Sequence, residues 1–156
     1  MNAKSLTRRD FLSTTAIATA SLAAVPELPA KQFAPKGKTS ESYVKLLHAS
    51  LSDSQKKVLC FPWDHRDKKN GLLRTHVSNN WRITNHALTS DFYTKEQQVL
   101  IRKTWEGLVN PDWVERFDKQ FKDDMGGFGK KQGIAIFGDP TTNGENYEFV
   151  LTGRHG

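Results

Sequence analysis

The side chains with chemistry to offer are five histidines, one cysteine and a few carboxylates. His48 falls within helically spaced apolar residues and reads as a boundary residue, and His65 lies in the charged run Trp63-Asp64-His65-Arg66-Asp67. His76, His86 and His155 fall in or beside short strand-like segments. Imidazole is the commonest transition-metal ligand, and three converging imidazoles make an open site of the zinc or copper kind, with one position left for water or substrate. His76 and His86 flank the Asn79-Asn80 turn, and a chain reversal there brings them to neighbouring strands, with His155 as third ligand. Asp64 and Asp139 are the carboxylates on which a metal-dependent reaction would draw. The competing reading is that these histidines are hydrogen-bonded for structure or face solvent, since none shows a His-x-x-x-His spacing.

Other chemistries lack their signatures. The sequence holds no Gly-x-Ser-x-Gly elbow, no Gly-x-Gly-x-x-Gly after a strand and no phosphate-binding Gly-x-x-x-x-Gly-Lys-Ser/Thr. Cys60, set among Val58, Leu59 and Phe61, reads as a small core residue in a helix. Asp123 and Asp124 are neighbours on a helix and point to different faces, which precludes joint acid–base work. Gly126-Gly127-Phe128-Gly129 offers an amide nest for an anion, but a helix exit is the simpler reading.

The elements that must position these residues follow from apolar spacing and cap signals. Tyr43, Val44, Leu46, Leu47 and Leu51 share a helical face. Ser52 with Gln55 has the form of a capping box and opens a second helix that Pro62 stops. Leu72 to Val77 reads as a strand and Trp81 to Thr84 as another short one. Thr94 with Gln97 repeats the capping-box spacing ahead of Val99, Leu100, Ile101, Trp105 and Leu108. Asn110-Pro111 starts a further helix whose Trp113, Val114, Phe117 and Phe121 read as core. Gly133 to Phe137 and Tyr147 to Leu151 alternate as two strands of a hairpin around the turn-rich Gly138 to Gly144. Helices followed by a β-hairpin predict an α+β fold.

The chain has 156 residues, about one domain's worth. Its apolar fraction of 37% and charged fraction of 26% suit a folded domain with a modest core. The net charge of +6 is spread along the sequence rather than collected in a basic block, which argues against nucleic acid as a partner. Thr7-Arg8-Arg9-Asp10-Phe11-Leu12 resembles a twin-arginine export signal, with Arg8, Arg9, Phe11 and Leu12 as its defining residues. The stretch from Phe11 to Val25 includes five Ser or Thr and is too short and polar to span a bilayer. Signal-peptidase exits fall after Ala23 or Ala30, so residues 1–30 read as the leader, 31–40 as a linker and 41–156 as the folded domain. Such signals imply the twin-arginine translocase as partner, a periplasmic or secreted destination, and folding before export. With one cysteine no disulfide forms within the chain, and no further apolar run provides a stable membrane span.

The turn Phe137-Gly138-Asp139-Pro140, the strand ending Gly153-Arg154-His155, and upstream Leu51, Gln55, Phe61-Pro62 and Asn80-Trp81 together resemble the bacterial family called domain of unknown function 3500. Members are commonly secreted and continue past the Gly-x-His strand. The resemblance therefore implies that these residues form the front part of a larger domain, truncated at the C-terminus, whose uncovered strand edge makes the chain prone to aggregate. No activity comes with the family. Two functions are thus expected in order: an exported, non-catalytic protein that binds a ligand or partner, and alternatively a metal-dependent periplasmic enzyme using the histidines.

Overall fold

The computed structural model describes residues 39–154. The export signal with Arg8, Arg9, Phe11 and Leu12, both candidate cleavage points and His155 lie outside the described residues.

Helix α1 (Ser40–Ser50) starts at Thr39, whose hydroxyl accepts the Ser42 N–H, and it buries Val44 and Leu47. Leu51 closes it and is itself buried. Both expected capping boxes are present. Ser52 caps α2 (Asp53–Leu59) with Gln55 reaching back to the Ser52 N–H, and Thr94 caps α3 (Lys95–Glu106) with Gln97 reaching back to the Thr94 N–H. Helices α1 and α3 pack together. The starts of α2 and α3 also meet, with the two capping glutamines face to face: Gln55 Nε2 donates to Gln97 Oε1 at 2.9 Å and Gln97 Nε2 donates to Gln55 Oε1 at 3.1 Å. The second amide hydrogens go to the carbonyls of Phe92 (2.6 Å) and Ser50 (2.9 Å). Each buried amide thus fills all four of its hydrogen-bonding positions, as a buried polar group must to avoid a desolvation cost.

The segment before Pro62 departs from its helical reading. Helix α2 ends at Leu59, and Cys60–Phe61 form strand β1, parallel to Ile136 and Phe137. Proline crowds the preceding residue out of the α region, so Phe61 is driven to extended backbone, where the sheet can pair it. The Leu72–Val77 strand is also revised. Strand β2 (Arg66–Asp67) pairs antiparallel with β3 (Gly71–Leu72), and Leu73–Thr75 then winds into a 3-10 turn. Nor do residues 81–84 form a strand. Ile83 N–H donates to the Thr152 hydroxyl at 2.7 Å, and the Thr84 hydroxyl donates to the Ile134 carbonyl at 2.9 Å, so side-chain oxygens replace a backbone ladder.

Asn110 and Pro111 open a 3-10 turn (Pro111–Trp113) that leads into α4 (Val114–Met125). Phe121 and Met125 are buried, but Trp113 is 51% exposed because it lies in the turn ahead of the helical stripe, which corrects its assignment to the core. Strands β4 (Gln132–Gly138) and β5 (Tyr147–Gly153) form the expected hairpin, and the three-stranded sheet has the order β1-β4-β5. Ile134 and Ile136 face the core built by α1, α2 and α3, while Ala135 and Phe137 face Leu73, Phe61, Trp63 and Trp81. Small sheets and separate helices make this an α+β fold. No helix among the described residues is long and apolar enough to cross a membrane.

Candidate functional site

A hollow of about 370 Å³ lies between the end of α3, helix α4 and strand β5. Trp105, Leu108, Phe117, Phe121, Phe149 and Leu151 give it apolar walls, and Gln120, Asp124 and Gln132 supply its polar groups. Apolar walls with a few placed polar groups, at a size within the usual ligand range, are what a small-molecule site requires. Around it Trp105 meets Phe117, Phe121 and Phe128 with ring centroids 5.4–5.7 Å apart. Helical spacing makes the α3 and α4 walls legible in the sequence. Phe149 and Leu151 come from an alternating strand, and no local signal says that this strand faces α4.

Arg102 ties α4 to α3. Its guanidinium grips Asp118 through two bonds of 2.6 and 2.8 Å, bonds Glu106 at 2.7 Å, and lies over the rings of Trp105 and Phe128. Arg102→Ala should lower stability by about 1–2 kcal/mol, since the Asp118 end is partly open to solvent, and should speed amide exchange along α4 above that of α1. Arg102→Lys should not restore it, because an ammonium lacks the planar fork. Unchanged α4 exchange in Arg102→Ala would show that α4 is held without this pair.

His76 and His86 rest on different aromatic rings, and His155, the third expected ligand, lies outside the described residues. The His76 ring meets Trp81 edge-on at 4.7 Å, and the His86 ring stacks on Phe92 at 3.7 Å. Trp81 packs with Ala135 and Phe137, whereas Phe92 packs with the cluster of Ile134 and Ile136, so the two imidazoles rest on aromatics from opposite faces of β4. Neither sits on a strand, against the expectation of neighbouring strands. Among the described residues no group of three His, Cys, Asp or Glu is placed to hold a metal ion.

The remaining chemical groups have local tasks. Asp139 accepts from the Thr141 N–H and from the hydroxyls of Thr141 and Thr142, and these bonds pull its carboxyl down to about 2. Burial pushes the Cys60 thiol up to about 11, which keeps it protonated and poorly nucleophilic. Burial and the charge of Lys56 lower His48 below the ordinary imidazole value. The Gly126 N–H bonds the Lys122 carbonyl and the Gly127 N–H bonds the Phe121 carbonyl, which closes α4, while the Gly129 N–H bonds Gln132 Oε1 at the start of β4. Gly126 takes φ 82°, the left-handed conformation that ends many helices. No family model matches the chain, and no curated protein or solved structure matches it.

Proposed function

We propose that the chain is an exported binding protein without a catalytic step, and that its ligand is a small, largely apolar molecule held in the hollow beside α4. The observation that carries this reading is the aromatic lining of that hollow, which offers contact area and a few hydrogen-bonding groups but no paired acid and base. The side chains that a reaction would need are engaged elsewhere: His76 and His86 with separate aromatic rings, Asp139 with its turn. Export rests on Arg8, Arg9, Phe11 and Leu12, and the destination is the periplasm or the exterior.

Two measurements test the two halves. A neutral environment-sensitive dye, N-phenyl-1-naphthylamine, should brighten on binding the purified domain, and Leu108→Asp should weaken that binding roughly fivefold by placing a charge in the apolar wall. Leu108 is 71% exposed, so its replacement leaves the core alone. Dye binding equal in both proteins would remove the hollow as the site. Replacing Arg8 and Arg9 together by Lys should hold the protein in the cytoplasm with its leader uncut, while the native protein begins near Ala24 or Lys31. Normal processing of the Lys variant would refute the route.

A further inference from the structure

The lining of the hollow beside α4 includes a buried amide: Gln132 is 1% exposed. Resting on the reading of that hollow as a ligand site, we infer that its ligand is a neutral apolar compound bearing a carbonyl oxygen, which accepts a hydrogen bond from the Gln132 side chain.

The strand register places this amide. Gln132, Ile134 and Ile136 alternate along one face of β4, and their partners across the ladder are Gly153, Leu151 and Phe149. Residues directly opposite share a face, so Leu151 and Phe149, which wall the hollow, stand in the row beside Gln132. Ile134 and Ile136 join the core built with the helices, so this face of the sheet is the one turned toward them. Gly153 makes room for the glutamine. A Cβ there would meet Gln132 Cγ at 2.5 Å, so the side chain lies over the bare backbone of its partner.

One end of the amide is already engaged. Oε1 accepts the Gly129 N–H at 2.6 Å, which assigns the two donor hydrogens to the other atom. No described residue accepts from Nε2. Gln55 and Gln97, by contrast, spend both amide hydrogens on oxygen acceptors. A buried donor without an acceptor is costly, and a ligand that supplies one relieves that cost.

The rest of the lining selects the compound. Trp105, Phe117, Phe121 and Phe149 suit an aromatic or aliphatic body. Asp124 is the only charged residue among the described lining, so an anionic ligand meets repulsion and finds no cation. A carbonyl oxygen accepts from Gln132 without charge, and without bringing a donor that the apolar walls would leave unpaired.

The test displaces N-phenyl-1-naphthylamine from the full chain with three compounds of similar shape: 2-acetylnaphthalene, 2-isopropylnaphthalene and 2-naphthoate. The ratio of ketone affinity to hydrocarbon affinity should fall about tenfold in Gln132→Met, which keeps the side chain's length but removes the donor; taking the ratio cancels the compounds' own hydration. The naphthoate should bind at least about tenfold more weakly than the ketone. Gln132→Met also orphans the Gly129 N–H, so thermal melts check that the variant folds. A second measurement needs no variant: the carbonyl stretch of isotope-labelled 2-acetylnaphthalene bound to the native chain should lie below its position in hexane. With dye bound, an unshifted band, an unchanged ratio in folded Gln132→Met, or naphthoate binding as tight as the ketone's would overturn the inference and leave the hollow as a ligand site. Failure of the dye itself to bind would remove that site and the inference with it.

Discussion

Gln97→Ala should destabilise the domain by about 3 kcal/mol, measured by urea denaturation at neutral pH, since several buried polar groups lose their partner at once. The substitution orphans the Ser50 carbonyl, the Thr94 N–H and one donor and one acceptor of Gln55. Gln55→Ala should cost a similar amount, and the double variant should cost clearly less than the sum, because each single change already breaks the shared amide pair. Gln97→Glu adds a pH signature. A carboxylate buried there meets the Ser50 carbonyl and the amide of Gln55, and burial raises its folded pKa above the ordinary value of about 4.3. Its neutral form is therefore favoured in the folded state, so the variant should be most stable below that value and lose stability as the pH rises through the raised pKa. A loss under about 1 kcal/mol for Gln97→Ala, or additive single changes, would mean that the helix starts are held by apolar packing alone.

Gly138→Ala should be the most damaging glycine substitution in the hairpin, at about 2–4 kcal/mol. Gly138 has φ 73°, and a Cβ there would meet the Asn146 carbonyl oxygen at 2.2 Å and its carbon at 3.2 Å. The obstacle is backbone, not a side-chain end that can swing away. Relief requires separating Gly138 from Tyr147, the first pair of the hairpin. Gly144 supplies the control: it has φ 83° but nothing within 4 Å of a Cβ, so Gly144→Ala should cost only about 1 kcal/mol. Thermal melts and amide exchange of β5 read the difference. Equal losses at the two positions would show that the left-handed conformation alone, and not the contact with Asn146, sets the cost.

What the sequence determines by itself is local. The capping boxes at Ser52–Gln55 and Thr94–Gln97 are legible because the bonds that make them close within four residues. The helix exit at Gly126 and the hairpin strands are legible for the same reason, since backbone conformation and two-residue alternation are written in neighbouring positions. Cys60 and Phe61 mark the limit. Their apolar run suits a buried helix or strand alike, and only the parallel partner in β4 settles the matter. Histidine placement is beyond local reading: His76 meets Trp81 and His86 stacks on Phe92, and which face of β4 each of those aromatics packs against is set by the fold.

The tertiary structure alone decides which distant groups share a surface. Gln55 and Gln97 stand 42 positions apart, and only the fold sets the start of α2 against the start of α3 so that they meet. Phe149 joins the wall that includes Trp105 because β5 pairs with β4 on the side where α4 lies. Arg82, the Lys130-Lys131 pair and Arg154 stand far apart along the chain, and linear spacing gives no hint that they line one hollow. One strand register and one hydroxyl bond, from Ile83 to Thr152, bring them around a single hollow. Charges interact across space and not along the sequence, so which cations stand near one another is settled only when the backbone's hydrogen bonds fold the chain.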